Sequence, residues 1–467
     1  MRKRLRVEHL ESRDCPALVV QSVMGHLTIR GIPNGNVTVT ETSPNTFTVV
    51  DNGKAFAPAP CNGNMSIRLP SRPGFFRVDL NGNSLNGNLL LDLGDGYSGS
   101  TAVDYDVSVY DSTATSVLST SVIGGNVSVL KGNGNELVGV GYLYTVTSTP
   151  VNRPLQVLGG LNVAGRMSVT FGESFQLGEG SKVAGAASVS YYDDVTFGQQ
   201  DVTAATLTQV QGNVTVTTAG AGGGLRANFF GRFEKNLTVN AAATTTGFNT
   251  FTITSPDPNV DAYVGGNLNV VMGQSGLYNS MQVLQDTGGT GVTQVVGQTT
   301  LVSRNSIGTT NDFVSLDGQF DSSVLVQTGN QGLDFDFPLE SKINGMLTII
   351  AGSGTNNIGT GGTNTFAGTL QGHYKLYLGS GTNNVDLQTS IGGVLLFRAG
   401  DGVNNVNLTP ADPSSLYRVN MLFGPGTNTL TLNANVIIRG IVKGSDGTNT
   451  FNQNNATIIS RLFSNFP

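Results

Sequence analysis

Residues 378–387 read LGSGTNNVDL, and residues 399–408 read AGDGVNNVNL. In both, two glycines flank a small residue, paired asparagines follow, and apolar residues then alternate with polar ones. Three readings compete: a calcium-binding nonapeptide, a nucleotide-binding loop, or one turn of a wound sheet. The alternation decides between them. A period of two belongs to a half-buried strand, whereas a phosphate-binding glycine loop must open a helix.

The same grammar recurs along the chain. Gly-x-apolar-x-apolar stands at Gly25, Gly35, Gly63, Gly87, Gly125, Gly165, Gly185, Gly212, Gly266, Gly345, Gly372 and Gly392, with KNLTV at Lys235. A second pattern, Asn-(Thr/Asn)-apolar-x-apolar, stands at Asn45, Asn249, Asn383, Asn404 and Asn428, with partial copies at Asn364 and Asn449. Toward the C-terminus the second glycine of each G-x-G falls at Gly354, Gly381, Gly402, Gly426 and Gly447, at intervals of 27, 21, 24 and 21. One such repeat cannot bury its apolar face alone, but stacked copies join into one core. The expectation is an all-β chain, a parallel β-solenoid of roughly 20–27-residue turns with two or three short strands per turn. About fifteen turns at roughly 4.8 Å would make a rod on the order of 70 Å long. Tandem β-sandwiches, which also place strands every 8–12 residues, are the alternative.

Composition agrees with strands and turns. Of 467 residues, 63 are Gly and only 12% are charged, so the surface helix formers Lys and Glu are scarce. Hydrophobic residues, at 38%, are too many and too regularly spaced for a disordered chain. Net charge is −6, and no basic stripe suits nucleic acid. No run of 18 apolar residues predicts a transmembrane helix. Cys15 and Cys61 are too few for a disulfide framework or a zinc site.

In this frame glycine turns the corner, and asparagine tolerates the left-handed region or hydrogen-bonds across it. Asn356, Asn383, Asn404, Asn428 and Asn449 are the expected corner residues, stacked as an amide ladder. In the calcium nonapeptide G-G-x-G-x-D-x-U-x, Asp supplies a charged ligand. Asn383 and Asn404 take that place here, and without carboxylates the ion is held feebly. No metal or other cofactor is expected. The acidic runs Asp92/Asp95, Asp104/Asp106/Asp111 and Asp334/Asp336 read as solvated strand faces. The N-x-S/T tripeptides at Asn36, Asn64, Asn126, Asn213 and Asn236 fall in phase with the repeat and read as structural.

Catalysis has few candidates. His9, His26 and His373 lie far apart, and Trp is absent. Asp193 with Asp194, or Asp317 with Asp321, could meet across turns as a carboxylate pair. Nothing in the sequence selects them over ordinary surface residues, so the chain reads as non-catalytic.

Residues 1–20 differ from the body. Arg2, Lys3, Arg4 and Arg6 precede no apolar stretch long enough for a secretory signal. The segment HLESRDCPALVV resembles the LExRxxPA motif found near the N-terminus of large, repeat-rich exported proteins of planctomycete bacteria. Leu10, Glu11, Arg13, Pro16 and Ala17 carry the match, and Ser12 departs from the usual Asp or Pro. The resemblance implies export or cell-surface sorting and no activity. The chain therefore divides into a basic arm with a sorting-like motif (1–20), irregular solenoid turns with loop insertions (21–339) and regular Gly/Asn-cornered turns (340–467). The expected role is a non-catalytic, exported structural or adhesive protein. Its partners would be cell-envelope polysaccharide or other surface proteins, met through irregular loops at 97–123 and 272–342. A carbohydrate-active β-helix enzyme and a calcium-stabilised exoprotein are the alternatives.

Overall fold

The computed structural model describes residues 17–72, 74–96, 105–114, 121–131, 136–143, 151–165, 174–190, 192–199, 206–218, 224–244, 247–257, 259–285, 290–304, 309–360, 365–409, 416–459 and 462–466. They form a parallel β-solenoid with three walls. Each full turn visits a short third sheet, then a long first sheet, then a long second sheet. One turn runs Lys182–Val183, Ala187–Ser190, Asp194–Phe197, and the next runs Thr208–Val210, Val214–Thr217, Arg226–Phe229. Each of these strands pairs in parallel with its counterpart one turn away, residue for residue.

The alternating pattern sets which side chains face inward. Val214 and Val216 are buried, as are Leu237 and Val239 stacked on them, while Thr215 and Thr238 face outward. In the C-terminal turns Val385, Leu387, Val406, Leu408, Leu430 and Leu432 are buried in the same way. Burying each such side chain is worth about 1.5–3 kcal/mol, and one continuous cluster runs from Leu18 to Phe466. Phe197 and Phe229 stack face to face inside it, with centroids 5.3 Å apart.

Turn length loosens toward the N-terminus, as expected of turns with loop insertions. Neighbouring turns are offset by as few as 20 residues near the C-terminus, from Ile437 to Thr457, and by as many as 39 near the N-terminus, from Val37 to Phe76. The extra residues fall between strands and leave the register intact. Among the described residues the third sheet has eleven strands and ends at Thr369–Leu370, and a single bridge, Leu370 to Ile391, extends that wall.

Several sequence expectations need correction. The segment 272–342 is not an irregular loop region but a run of ordinary turns. Its strands include Asn279–Leu284, Thr299–Ser303, Asp312–Leu316 and Val324–Gln327. Of 97–123, only Tyr105–Tyr110 and Val122–Ile123 are described as strands. The copy at Gly392 is one residue out of phase. Gly393 stacks on Gly372, so Leu395 and Phe397 face inward. GNVTV at Gly35 opens the second sheet rather than the first. The strand after Asn45 runs antiparallel to Val37–Ser43 instead of starting a new turn. The copy at Gly165 lies mostly outside the described residues, and its turn uses Leu161–Ala164 instead.

Those antiparallel strands form an N-terminal cap. Val19–Val23 covers the edge of the first sheet, and Thr46–Asp51 covers the edge of the second. An uncovered edge would offer its free backbone groups to another chain. Beneath the cap lies Glu41, fully buried, with Oε1 accepting from the Asn45 backbone N–H at 2.7 Å and Oε2 without a partner. Burial pushes its carboxyl up to about 7.

Glycine is required where corners stack most closely. Gly402, Gly426 and Gly447 have φ of 130°, 130° and 143°. A Cβ on Gly426 would lie 2.2 Å from the Gly402 carbonyl oxygen, which is backbone and cannot yield locally. Gly426→Ala should therefore lose at least about 1–3 kcal/mol, whereas Thr427→Ala on the exposed strand should stay within about 0.5 kcal/mol. Denaturant midpoints of the two variants check this.

A second expectation concerns pH. The carboxyl of Glu41 is raised in the folded state, so its contribution to stability is complete below its ordinary value and fades as pH rises through about 7. Cap stability should fall between pH 5 and pH 8 in the native chain, and Glu41→Gln should flatten that fall. Hydrogen exchange of amides 37–51, converted to opening free energies at each pH, measures it.

Candidate functional site

Two kinds of polar column run along the solenoid, and between them they employ most of its conspicuous polar residues. The first lies where each turn enters the first sheet. There a side chain accepts the backbone N–H of the equivalent residue one turn later. His26 Nδ1 accepts from Asn64 at 3.0 Å, Asn64 Oδ1 from Asn88 at 2.8 Å, and Asn88 Oδ1 from Asn126 at 2.7 Å. The column resumes with Asn213, Asn236, Asn267, Ser323 and His373 in the same role. At the corresponding corner of the second sheet, Asn36 Oδ1 accepts from Phe75 N–H at 3.0 Å. The five tripeptide asparagines thus have a common structural use. So do His26 and His373, each of which needs its Nδ1 unprotonated to accept.

The second column lies where each turn enters the second sheet. Asn356, Asn383, Asn404 and Asn428 are fully buried. Each donates one Nδ2 hydrogen to the Oδ1 of the next asparagine, all at 2.7 Å, ending on Asn449. Each sends the other hydrogen to the carbonyl four residues back, on Gly352, Gly379, Gly400 and Gly424. Asn449 donates likewise to Ser445. This explains G-x-G-x-N. The first glycine presents its carbonyl to the amide, and the second makes the close backbone approach. The asparagines themselves lie on the strands, none with a positive φ. They hold the corner by side chain and not by a left-handed backbone.

The same column begins earlier, which sequence reading missed. Asn249 donates to Asn279 Oδ1 at 2.7 Å, and Asn279 donates to Ser303 Oγ at 2.7 Å. The Asp312 carboxylate then accepts from Asn279 N–H and from Ser303 Oγ. Leu333 follows in register, between Asp312 and Asn356. Both sides of the gap are acceptors, for Asn356 Oδ1 has no partner. An apolar residue there separates two groups that could not bond to each other. The NTFTI repeat at Asn249 was the available signal, but Asn279 precedes Ser and Met and breaks the pattern.

On the outer face of the second sheet a third row runs in the opposite sense. Asn405 donates to Asn384, Asn384 to Asn357, and Asn357 to the Asp334 carboxylate, at 3.0, 3.0 and 2.8 Å. Asn407 donates to Asp386 at 3.0 Å. A shallow recess of about 260 Å³ over this face is lined by these same tied side chains.

The candidate acids are distributed along the wall. Asp194 pairs in register with Arg226, and burial raises its carboxyl while that guanidinium lowers it. Asp317 and Asp321 take separate roles. Asp321 accepts from Gln294 and Asn344, and Asp317 from Ser341. Burial raises the Asp317 carboxyl, with smaller contributions from Asp336 and Glu340. Asp336 holds Thr365, and Glu340 holds Gln285. Among the described residues no group of three or more His, Cys, Asp or Glu is arranged to hold a metal ion. Asp79 and Asp111 bind turn amides, Asp111 accepting from Gly82, Thr113 and Ser121. Asp104 lies outside the described residues, as do the side chains of Asp95 and Asp106.

Of the sorting-like motif, Leu10, Glu11, Arg13 and Pro16 lie outside the described residues. Ala17 is described, exposed and bridged to Ile32. Cys15 is likewise outside them, and Cys61 is a buried free thiol. No described helix is long and apolar enough to cross a membrane. No protein-family model, curated protein or solved structure matches the chain.

Asn383→Ala should cost about 1–3 kcal/mol, because it strands a donor on Asn356 and an acceptor on Asn404. Thr431→Ala on the outer face should shift stability by no more than about 0.5 kcal/mol. Equal shifts in thermal midpoint would remove the energetic case for the ladder.

Proposed function

We propose that this chain is an exported, non-catalytic solenoid that serves at the cell surface as a structural or adhesive element. The observation that carries the reading is the commitment of its polar side chains. Both described histidines, the tripeptide asparagines and the buried corner amides are engaged in holding one turn to the next. The candidate carboxylates Asp317, Asp321 and Asp336 are likewise bonded to corner side chains or turn amides. A surface maintained this way suits a rigid wall better than a proton-transferring site, where acid and base must be poised beside substrate. Export rests on the resemblance of Leu10, Glu11, Arg13, Pro16 and Ala17 to LExRxxPA. Immunogold labelling of intact cells should decorate the outside, and label confined to the cytoplasm would overturn the assignment. Purified chain should release no new reducing ends or unsaturated products from acidic or neutral polysaccharides.

The calcium reading is disfavoured on specific atoms. The Oδ1 atoms of Asn383 and Asn404, which stand where a calcium roll has its Asp oxygens, already accept amide hydrogens at 2.7 Å. In a calcium roll, binding free energy is folding free energy. Here the circular dichroism of the full chain should be β-rich in excess chelator and unchanged by millimolar calcium. A coil spectrum that orders only with calcium would reverse this reading.

A further inference from the structure

The geometry points to a glycan-binding cleft at the corner between the first and second sheets, selective for sugars that carry a carboxylate. It deepens the adhesive reading above by naming a ligand class. Corner segments of four successive turns enclose about 560 Å³, within the range of small-molecule sites. The polar lining is Thr244, Gln274, Ser303, Arg304, Gln327 and Thr328. The two carboxamides each offer a donor and an acceptor, which is what neighbouring sugar hydroxyls require, whereas the Thr244 hydroxyl is already engaged, donating to the Ala241 carbonyl and accepting from Asn249. Among the described lining residues Arg304 is the one charged side chain, with no carboxylate beside it. A guanidinium donates only, and its planar fork fits a carboxylate in two parallel hydrogen bonds.

The cleft is built rather than incidental. Ser303 is fixed from below, accepting from Asn279 and donating to the buried Asp312 at 2.6 Å. The Arg304 backbone N–H is tied to the Met272 carbonyl at 3.1 Å, which sets the base of its side chain. The Thr328 backbone is likewise held, through Ile350 O, yet its buried hydroxyl has no hydrogen-bond partner. With only 5% of Thr328 exposed, an unmet hydroxyl there is costly unless something supplies its bond. Farther along, at Gly352–Asn356 and Gly379–Asn383, the same corner is closed by the tight glycine link.

The test is isothermal titration of the full chain with hexasaccharides of galacturonic, glucuronic and mannuronic acid, and with their methyl esters, which keep the sugar and remove the charge. At least one acidic hexasaccharide should bind, and its ester should bind about tenfold more weakly or worse. Arg304→Ala should weaken the acidic sugar by about ten- to a hundredfold with an unchanged thermal midpoint. Arg304→Lys should recover part of the loss, and Gln327→Ala should weaken acid and ester alike. Absence of binding by all three acids, equal binding of acid and ester, or full affinity in Arg304→Ala would each overturn the cleft. Surface labelling of cells is independent of this titration, so the cleft can fail while the cell-surface assignment stands.

Discussion

Each buried corner amide has two hydrogens and, inside a dry corner, two places to send them. One is the carbonyl four residues back in its own turn, and the other is the matching oxygen one turn on. The second requirement is the stricter. It can be met only if the next turn brings a side-chain oxygen to the same corner, an asparagine Oδ1 in the regular turns and Ser303 Oγ for Asn279. A slip of one residue would replace the partner asparagine by a neighbour such as Thr427 or Thr429 and turn the whole inner face outward. Hydrophobic stacking supplies most of the stability, but Val on Val and Leu on Leu tolerate a sliding contact. The amide column does not. Its role is to choose one register among several that the apolar faces alone would accept.

This division also explains what could be read in the sequence. Where Gly-x-Gly-x-Asn repeats in every turn, between Gly352 and Asn428, both the strand pattern and the corner chemistry are written in adjacent letters. The third sheet is not legible. Its strands, such as Lys342–Ile343 and Thr369–Leu370, are often two residues long, too short to show any period. The N-terminal cap reads like another repeat because antiparallel and parallel strands share the same alternation. Only the pairing tells Thr46–Asp51 from a solenoid strand. The capping column before the first sheet is disguised for a different reason. The position asks only for a side-chain acceptor of the right reach, and Asn, Ser and His all satisfy it. The cleft was invisible because Gln274, Arg304 and Gln327 share no motif and are brought together only by stacking.

The distribution of polar chemistry follows from the same constraint. Along most of the wall a side chain that leaves its column leaves a neighbour without a partner, so the wall has little freedom to acquire new contacts. Longer corner segments escape that demand. Between Ala242 and Gly329 the links are long enough for side chains to be chosen for something other than the next turn. A solenoid thus separates its two tasks in space, with register held along the columns and recognition confined to corners that have room.

The unequal turns have a mechanical meaning. Tension along the axis does not shear the sheets but parts one turn from the next, since every strand lies across the pull. Each turn that lets go frees its own length of chain, about 3.4 Å per residue. That is about 70 Å for the 21-residue turns near the C-terminus and about 130 Å for the 38-residue turns near the other end. A rod built this way yields as a staircase with treads of differing depth. The order of the treads records from which end the fibre is being drawn out.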